Sequence, residues 1–287
     1  MRIAVNGVRL FFDVDGPGLV PNGAVMVSRP TILLLHGGPG QDHSYFKPWA
    51  AHLTEFGQVV YLDLRGNGRS DRGPADRWTL EQWADDIVSF CQALDIETPV
   101  VLGHSFGGQV AQVLATRHPG VPSRLILMNC AARLRFDVVL DAFERLGGTA
   151  ARRIAERCFL HNTPESTAEF ARRVMPLYDR TPRDLTINRR MIVNRELLAS
   201  FLQYPGPLHS FDLLESLGAL TIPILVLTGE DDPVATPVHL QEMVSASRHG
   251  SIRGICLPRC GHLAFHDAPE ATLAAIRAFL DTGGTPS

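Results

Sequence analysis

Six short runs of near-continuous valine, isoleucine and leucine recur along this 287-residue chain: Thr31 to Leu35, Val59 to Leu64, Val100 to Gly103, Arg124 to Met128, Pro223 to Thr228 and Arg253 to Leu257. A strand covered on both faces has no polar side to show, so such runs specify the interior of a parallel sheet. Helical patterns separate them. The clearest sets Leu80, Trp83, Ala84, Ile87, Val88, Cys91 and Leu94 on one stripe, with Thr79 and Gln82 spaced as a capping box at its start. Gly107 to Arg117 and Ala271 to Leu280 read as further covering helices, and Ile3 to Val14 as an N-terminal hairpin. The alternation predicts an α/β fold with a mostly parallel, doubly wound sheet and helices on both faces. A chain that is 45% hydrophobic and 20% charged has the apolar side chains to fill it.

One connection is too long for a simple crossover. Ninety-three residues separate Asn129 from Pro223, where one helix and its turns need only about 10 to 15. Helical spacing at Phe136, Val139, Leu140 and Phe143, a stop at Gly147-Gly148 and a fresh start at Thr163-Pro164 predict several short helices. The expected organisation is a core made of 1–131 and 216–287 with a helical lid at 132–215. That lid holds 13 arginines against 11 acids, too even a balance to steer a charged ligand. Phe136, Phe143, Phe159, Met175, Met191 and Phe201 are its candidates for lining a pocket or filling the lid's own core.

A net charge of −3 without long like-charge blocks leaves no footprint for nucleic acid or an anionic membrane. Met1 to Asp13 lacks the apolar stretch of a signal peptide, and no apolar run approaches the roughly 18 residues of a membrane span. A cytoplasmic protein is expected. Its five cysteines, Cys91, Cys130, Cys158, Cys256 and Cys260, are odd in number and scattered, which predicts buried free thiols. Gly283 to Ser287 reads as a frayed tail.

The chemistry concentrates around Gly103-His104-Ser105-Phe106-Gly107-Gly108, between a strand and a helix. A serine on so tight a turn tolerates strained dihedrals while flanking glycines let neighbouring backbone approach, which holds Oγ out at the carboxyl edge of the sheet. A hydroxyl attacks only when a base takes its proton. Of eleven histidines, His262 is the candidate, because Cys260-Gly261-His262 follows the last strand; His266, four residues on, is second, and His104 points elsewhere as the serine's neighbour in a sharp turn. An acid between serine and histidine must orient the imidazole. Gly229-Glu230-Asp231-Asp232-Pro233 supplies it, with Asp232 preferred for the turn that Pro233 fixes and Asp231 the alternative. The glycines of His36-Gly37-Gly38-Pro39-Gly40 can aim backbone N–H groups at a developing oxyanion, so Gly38 and Phe106 are the expected donors.

These elements together resemble the α/β-hydrolase superfamily over nearly the whole chain: His36 to Gly40, Asp63-Leu64-Arg65-Gly66-Asn67-Gly68-Arg69-Ser70, Ser105, Asp232 and His262 stand in that family's order. The HGGPG form is most similar to the proline iminopeptidase branch, whose members remove an N-terminal proline. Two positions differ from that branch. Phe106 stands where it has tryptophan, and Arg133 to Arg145 carries no tryptophan from the Trp-and-Glu motif that helps hold a substrate amine. The resemblance therefore implies a serine hydrolase that cleaves a small ester, lactone or amide, with a small molecule or short peptide as substrate. Neither cofactor nor metal is expected.

Other functions compete less well. Gly66-Asn67-Gly68 lacks the third glycine of a dinucleotide fingerprint, and no Gly-Lys-Ser/Thr phosphate loop exists. Cys256, Cys260, His262 and His266 fit none of the usual zinc spacings. An aspartate nucleophile, as in dehalogenase and epoxide hydrolase relatives, is replaced by Ser105. A binding protein or acyltransferase on the same fold is the alternative reading.

Overall fold

The buried apolar runs assemble into one eight-stranded sheet in a computed structural model that describes residues 1–182 and 185–281. The strands are β1 (Arg2–Val5), β2 (Val8–Asp15), β5 (Thr31–Leu35), β6 (Gln58–Leu62), β7 (Val100–His104), β8 (Arg124–Met128), β9 (Ile224–Gly229) and β10 (Ile252–Leu257); β3 (Leu19–Asn22) and β4 (Val25–Ser28) form a separate hairpin. Spatial order is β1-β2-β6-β5-β7-β8-β9-β10, parallel from β6 to β10 and antiparallel at β1 and β2. The hairpin expected over Ile3 to Val14 is β1 and β2, turning at Asn6-Gly7 with both residues at positive φ. The β3–β4 hairpin was not predicted, because Leu19, Val25 and Met26 are exposed and leave no buried periodicity to read.

Alternate residues of each central strand serve opposite faces, as a period of two requires. Leu33, Leu35, Val101 and Leu125 join one apolar cluster, and Ile32, Leu34, Leu102 and Ile126 the other. Helices α1 (Leu80–Ala93) and α2 (Phe106–Arg117) cover the first face. The expected capping box on α1 is half made: Thr79 accepts from the Gln82 backbone at 3.1 Å, but the Gln82 side chain donates to Asp86 instead.

Between β8 and β9 lies the helical insertion: α3 (Phe136–Leu160), α4 (Pro164–Arg173), α5 (Leu185–Arg190), α6 (Arg195–Leu202), α7 (Pro207–Ser210) and α8 (Leu214–Gly218). The Gly147-Gly148 stop is a kink inside α3, where Gly148 takes φ 73° and ψ −179° before the helix resumes. Thr163 caps α4 as expected, in a box shared with Ser166. The chain ends with α9 (Pro237–Ala246), α10 (Ala264–Asp267) and α11 (Pro269–Asp281). The tail expected at Gly283 to Ser287 lies outside the described residues. Among them, no helix is long and apolar enough to cross a membrane. Four of the five cysteines are buried and free; Cys256 is exposed, a correction that follows from β10 being an edge strand.

Candidate active site

Four consecutive strands each deliver one residue to the same edge of the sheet: β7 is followed by Ser105, β8 by Asn129, β9 by the loop of Asp232, and β10 by the loop of His262. The loop after β5 supplies His36 to Gly40. The strand order reverses between β5 and β7, with β6 added on one side of β5 and β7 and β8 on the other, and such switch points open a crevice at the carboxyl ends of the strands.

Ser105 adopts φ 52° and ψ −119°, a conformation that L side chains rarely take and that only a surrounding scaffold maintains. The glycines are needed for contact. A Cβ on Gly103 would stand 2.4 Å from the Gly107 carbonyl oxygen, and one on Gly107 2.2 Å from that of Leu35. The turn presents Ser105 Oγ 2.9 Å from His262 Nε2. His262 Nδ1 lies 2.9 Å from each carboxylate oxygen of Asp232. A carboxylate only accepts, so Nδ1 carries the proton and Nε2 is left to accept from the serine.

Asp232 is fully buried. Burial pushes its carboxyl toward the neutral form, but the His262 charge and hydrogen bonds from His262, Asn129 and Val234 outweigh it and hold the group below the usual carboxylate range. Asn129 Nδ2 donates at 3.0 Å to Asp232 and to the Gly261 carbonyl, while Asn129 Oδ1 accepts from the Ala264 backbone. One amide thus ties the acid to both sides of the histidine. Asp231 faces away, its carboxylate 2.8 Å from Arg145 of α3.

His104 and His266 do not touch Ser105 Oγ. His104 Nε2 meets the His262 carbonyl at 2.9 Å and Nδ1 the Tyr45 hydroxyl at 3.0 Å. A carbonyl only accepts, so Nε2 donates, Nδ1 accepts from Tyr45, and the Tyr45 oxygen takes the Gly37 N–H. This chain braces the glycine loop against the histidine loop. His266 Nε2 lies 3.3 Å from the Thr181 carbonyl. The Asp63 to Ser70 motif is scaffolding: Asp63 accepts from the His43 and Arg69 backbones, and Asn67 Oδ1 holds the Gly40 N–H at 2.6 Å. No hydrogen bond occupies the N–H of Gly38 or Phe106 among the described residues.

A cavity of about 270 Å³ opens over Ser105 beneath the insertion. Gly38, Phe106 and His262 line it, as do Phe159, Met175, Met191 and Phe201 of the six predicted apolar candidates. Phe143 instead lies buried against Phe159 and Phe170, and Phe136 stacks on His209. No Asp, Glu, Lys or Arg side chain lines the cavity among the described residues. Its one thiol, Cys158, is pushed up by burial to about 11 and stays protonated at neutral pH. Among the described residues, no cluster of three or more His, Cys, Asp or Glu side chains could hold a metal ion.

Asn129, Tyr45 and Tyr178 escaped the sequence reading. Asn129 left a signal, a lone polar residue directly after an apolar strand at the carboxyl edge. Tyr178 left none: its ring packs on His262 at 5.0 Å and its carbonyl accepts the His262 N–H, a contact made across the insertion.

Fold and edge geometry together define a hydrolase scaffold, and the chain belongs to the α/β-hydrolase fold family, whose model matches residues 30–269. It is 27% identical to a thermophilic esterase from Thermogutta terrifontis, covering 99% of this chain and all of that one with a TM-score of 0.69. An enol-lactonase from Burkholderia xenovorans is 25% identical over 98% of this chain and 100% of its own, TM-score 0.70. A proline iminopeptidase of Lactobacillus helveticus is 24% identical over 88% of this chain and 90% of its own length.

Proposed function

We propose that the protein is a serine hydrolase of neutral carboxylic esters or lactones. Ser105 attacks the carbonyl carbon, His262 Nε2 takes its proton and returns it to the departing alkoxide, and Asp232 holds the imidazole tautomer and balances its charge. The N–H groups of Gly38 and Phe106 stabilise the oxyanion. Water, deprotonated by the same histidine, then releases the acid from the acyl-enzyme. Residues 132–215 serve as the lid over a core of 1–131 and 216–287.

The observation that carries the choice of substrate is the cavity wall. An N-terminal ammonium would have to leave water for an apolar chamber without a carboxylate among the described residues, a costly transfer for an unpaired charge. A neutral ester or lactone suffers no such penalty. The missing Trp-and-Glu motif points the same way.

Two measurements test the reading. A fluorophosphonate should label Ser105 and no other residue, as mapped by mass spectrometry of the digested adduct. In a side-by-side comparison of kcat/KM, a short aryl ester and a lactone should exceed a proline arylamide. An arylamide preference of about 100-fold, roughly 2.7 kcal/mol of transition-state discrimination, would establish aminopeptidase action instead.

A further inference from the structure

Gln109 lies one helical turn beyond Ser105 on α2, is 6% exposed and lines the cavity. Its side-chain Oε1 is buried with no hydrogen-bond partner, and neither end of its amide is bonded among the described residues. Buried amides in folded proteins are nearly always paired. Gln112, on the same helix, also has a buried unpartnered Oε1, but its Nε2 is anchored on the Gly108 and Ala131 carbonyls at 3.1 and 3.2 Å, and it does not line the cavity. His209, whose Nδ1 is also unpartnered, is likewise anchored through Nε2 to the Phe159 carbonyl and lies off the cavity.

Resting on the hydrolase reading above, we propose that Gln109 is a substrate-binding residue that selects esters or lactones whose acyl part carries a hydroxyl or secondary-amide group close to the scissile carbonyl. Ser105, the N-cap of α2, accepts the Gln109 N–H on its carbonyl at 3.3 Å, so the two residues stand one turn apart, and both line the cavity. The Gln109 amide therefore reaches a group about two to four bonds from a carbonyl held at Ser105. An amide offers one acceptor and two donors, and a hydroxyl or secondary amide on the substrate complements both kinds. A plain hydrocarbon acyl chain leaves Gln109 unpaired in an apolar wall, and a site built to hydrogen-bond a polar group discriminates against the analogue that lacks it.

The test compares p-nitrophenyl N-acetylglycinate with its hydrocarbon isostere, p-nitrophenyl 4-methylpentanoate, in the wild-type protein and in Gln109→Met. Dividing the two kcat/KM values, and then the two proteins, cancels the esters' intrinsic reactivities. The acetamido-to-hydrocarbon ratio should fall by at least about 10-fold in Gln109→Met, through loss on the acetamido ester together with gain on the hydrocarbon one. The Tm of the variant should equal or exceed the wild-type value, because an unpartnered buried amide has been replaced by an apolar chain of similar length. Gln109→Leu serves the same comparison should the methionine variant fail to fold. An unchanged ratio, with both esters cleaved, overturns the proposal; so does a fall in Tm with an unchanged ratio, which would make Gln109 part of the scaffold. If the wild-type protein cleaves neither ester, the hydrolase reading fails and this inference with it.

Discussion

Asp231 and Asp232 are neighbours after the same strand, yet their surroundings separate them: Asp232 is sealed against His262 and Asn129, and Asp231 sits at the surface with Arg145. Asp232→Asn should retain the fold and lower kcat by about 10⁴-fold, because an amide no longer enforces the Nδ1–H tautomer. Asp231→Asn, which removes only a half-exposed ion pair, should leave kcat within about 3-fold. Steady-state kinetics of the two variants decide the matter, and a severe loss in Asp231→Asn would reverse the assignment. Activity should also fall on the acid side, since a protonated imidazole cannot accept the Ser105 proton. Asp232, held below the usual carboxylate range, stays ionised through that limb and is not its cause. A pH–rate profile lacking an acid limb would count against a histidine base.

Elements differed in how plainly the sequence announced them. The five interior strands β5 to β9 declare themselves because each is apolar on both faces, whereas β10 is a partly exposed edge strand; the loops after β7, β9 and β10 carry Ser105, Asp232 and His262 in an order fixed by chain direction. The insertion is harder to read, since its helices pack through contacts far apart in sequence: Phe143 is buried among Phe159, Phe170 and Tyr178, while Phe159 also faces the cavity. Helical spacing marks all of these as apolar without saying which side of the wall each occupies. Asp267 is another such case. At the end of α10, its carboxylate accepts from the Gly261 backbone at 2.8 Å and from the Arg180 and Thr181 backbones of the insertion at 3.0 and 2.8 Å. A single side chain thus clamps the insertion to the loop that carries His262. Asp267→Ala should loosen both partners together, speeding amide hydrogen exchange at Gly261, Arg180 and Thr181 and lowering kcat/KM by about 10-fold, within the range expected when positioning of a reacting group is lost. Faster exchange at Gly261 alone would show that the two segments are held independently.

At the scale of the whole molecule, the edge that gathers the loops of Ser105, Asp232 and His262 is also where groups with perturbed titration are buried, so acid should act on fold and candidate site together. Burial holds His36 below the ordinary histidine range, and its bonds require the neutral ring: Nδ1–H donates to the Gly37 carbonyl at 2.7 Å and Nε2 accepts the Leu64 N–H at 3.3 Å. His239, beneath the start of α3, is lowered by burial too. In the unfolded chain such histidines take up protons near pH 6.5. The unfolded state therefore binds more protons below that value, and stability falls as pH drops from about 6.5 toward the lower folded values. The carboxyls act further down. Asp63 and Asp232 are both lowered in the folded state, against the opposing effect of burial, through His43 and His36 for the first and His262 for the second. Their stabilisation is present above the unfolded value of about 3.9 and is lost as pH falls through the folded values. Calorimetry from pH 8 to 3 should accordingly show a level Tm down to about pH 7, a decline beginning near 6.5 and a steeper one below about 4. His36→Gln, less stable at pH 7, should show a shallower first decline. A Tm that stays level from pH 8 to 4.5 would mean that the buried histidines accept protons without cost, contrary to the bonding that holds the His36 loop in place.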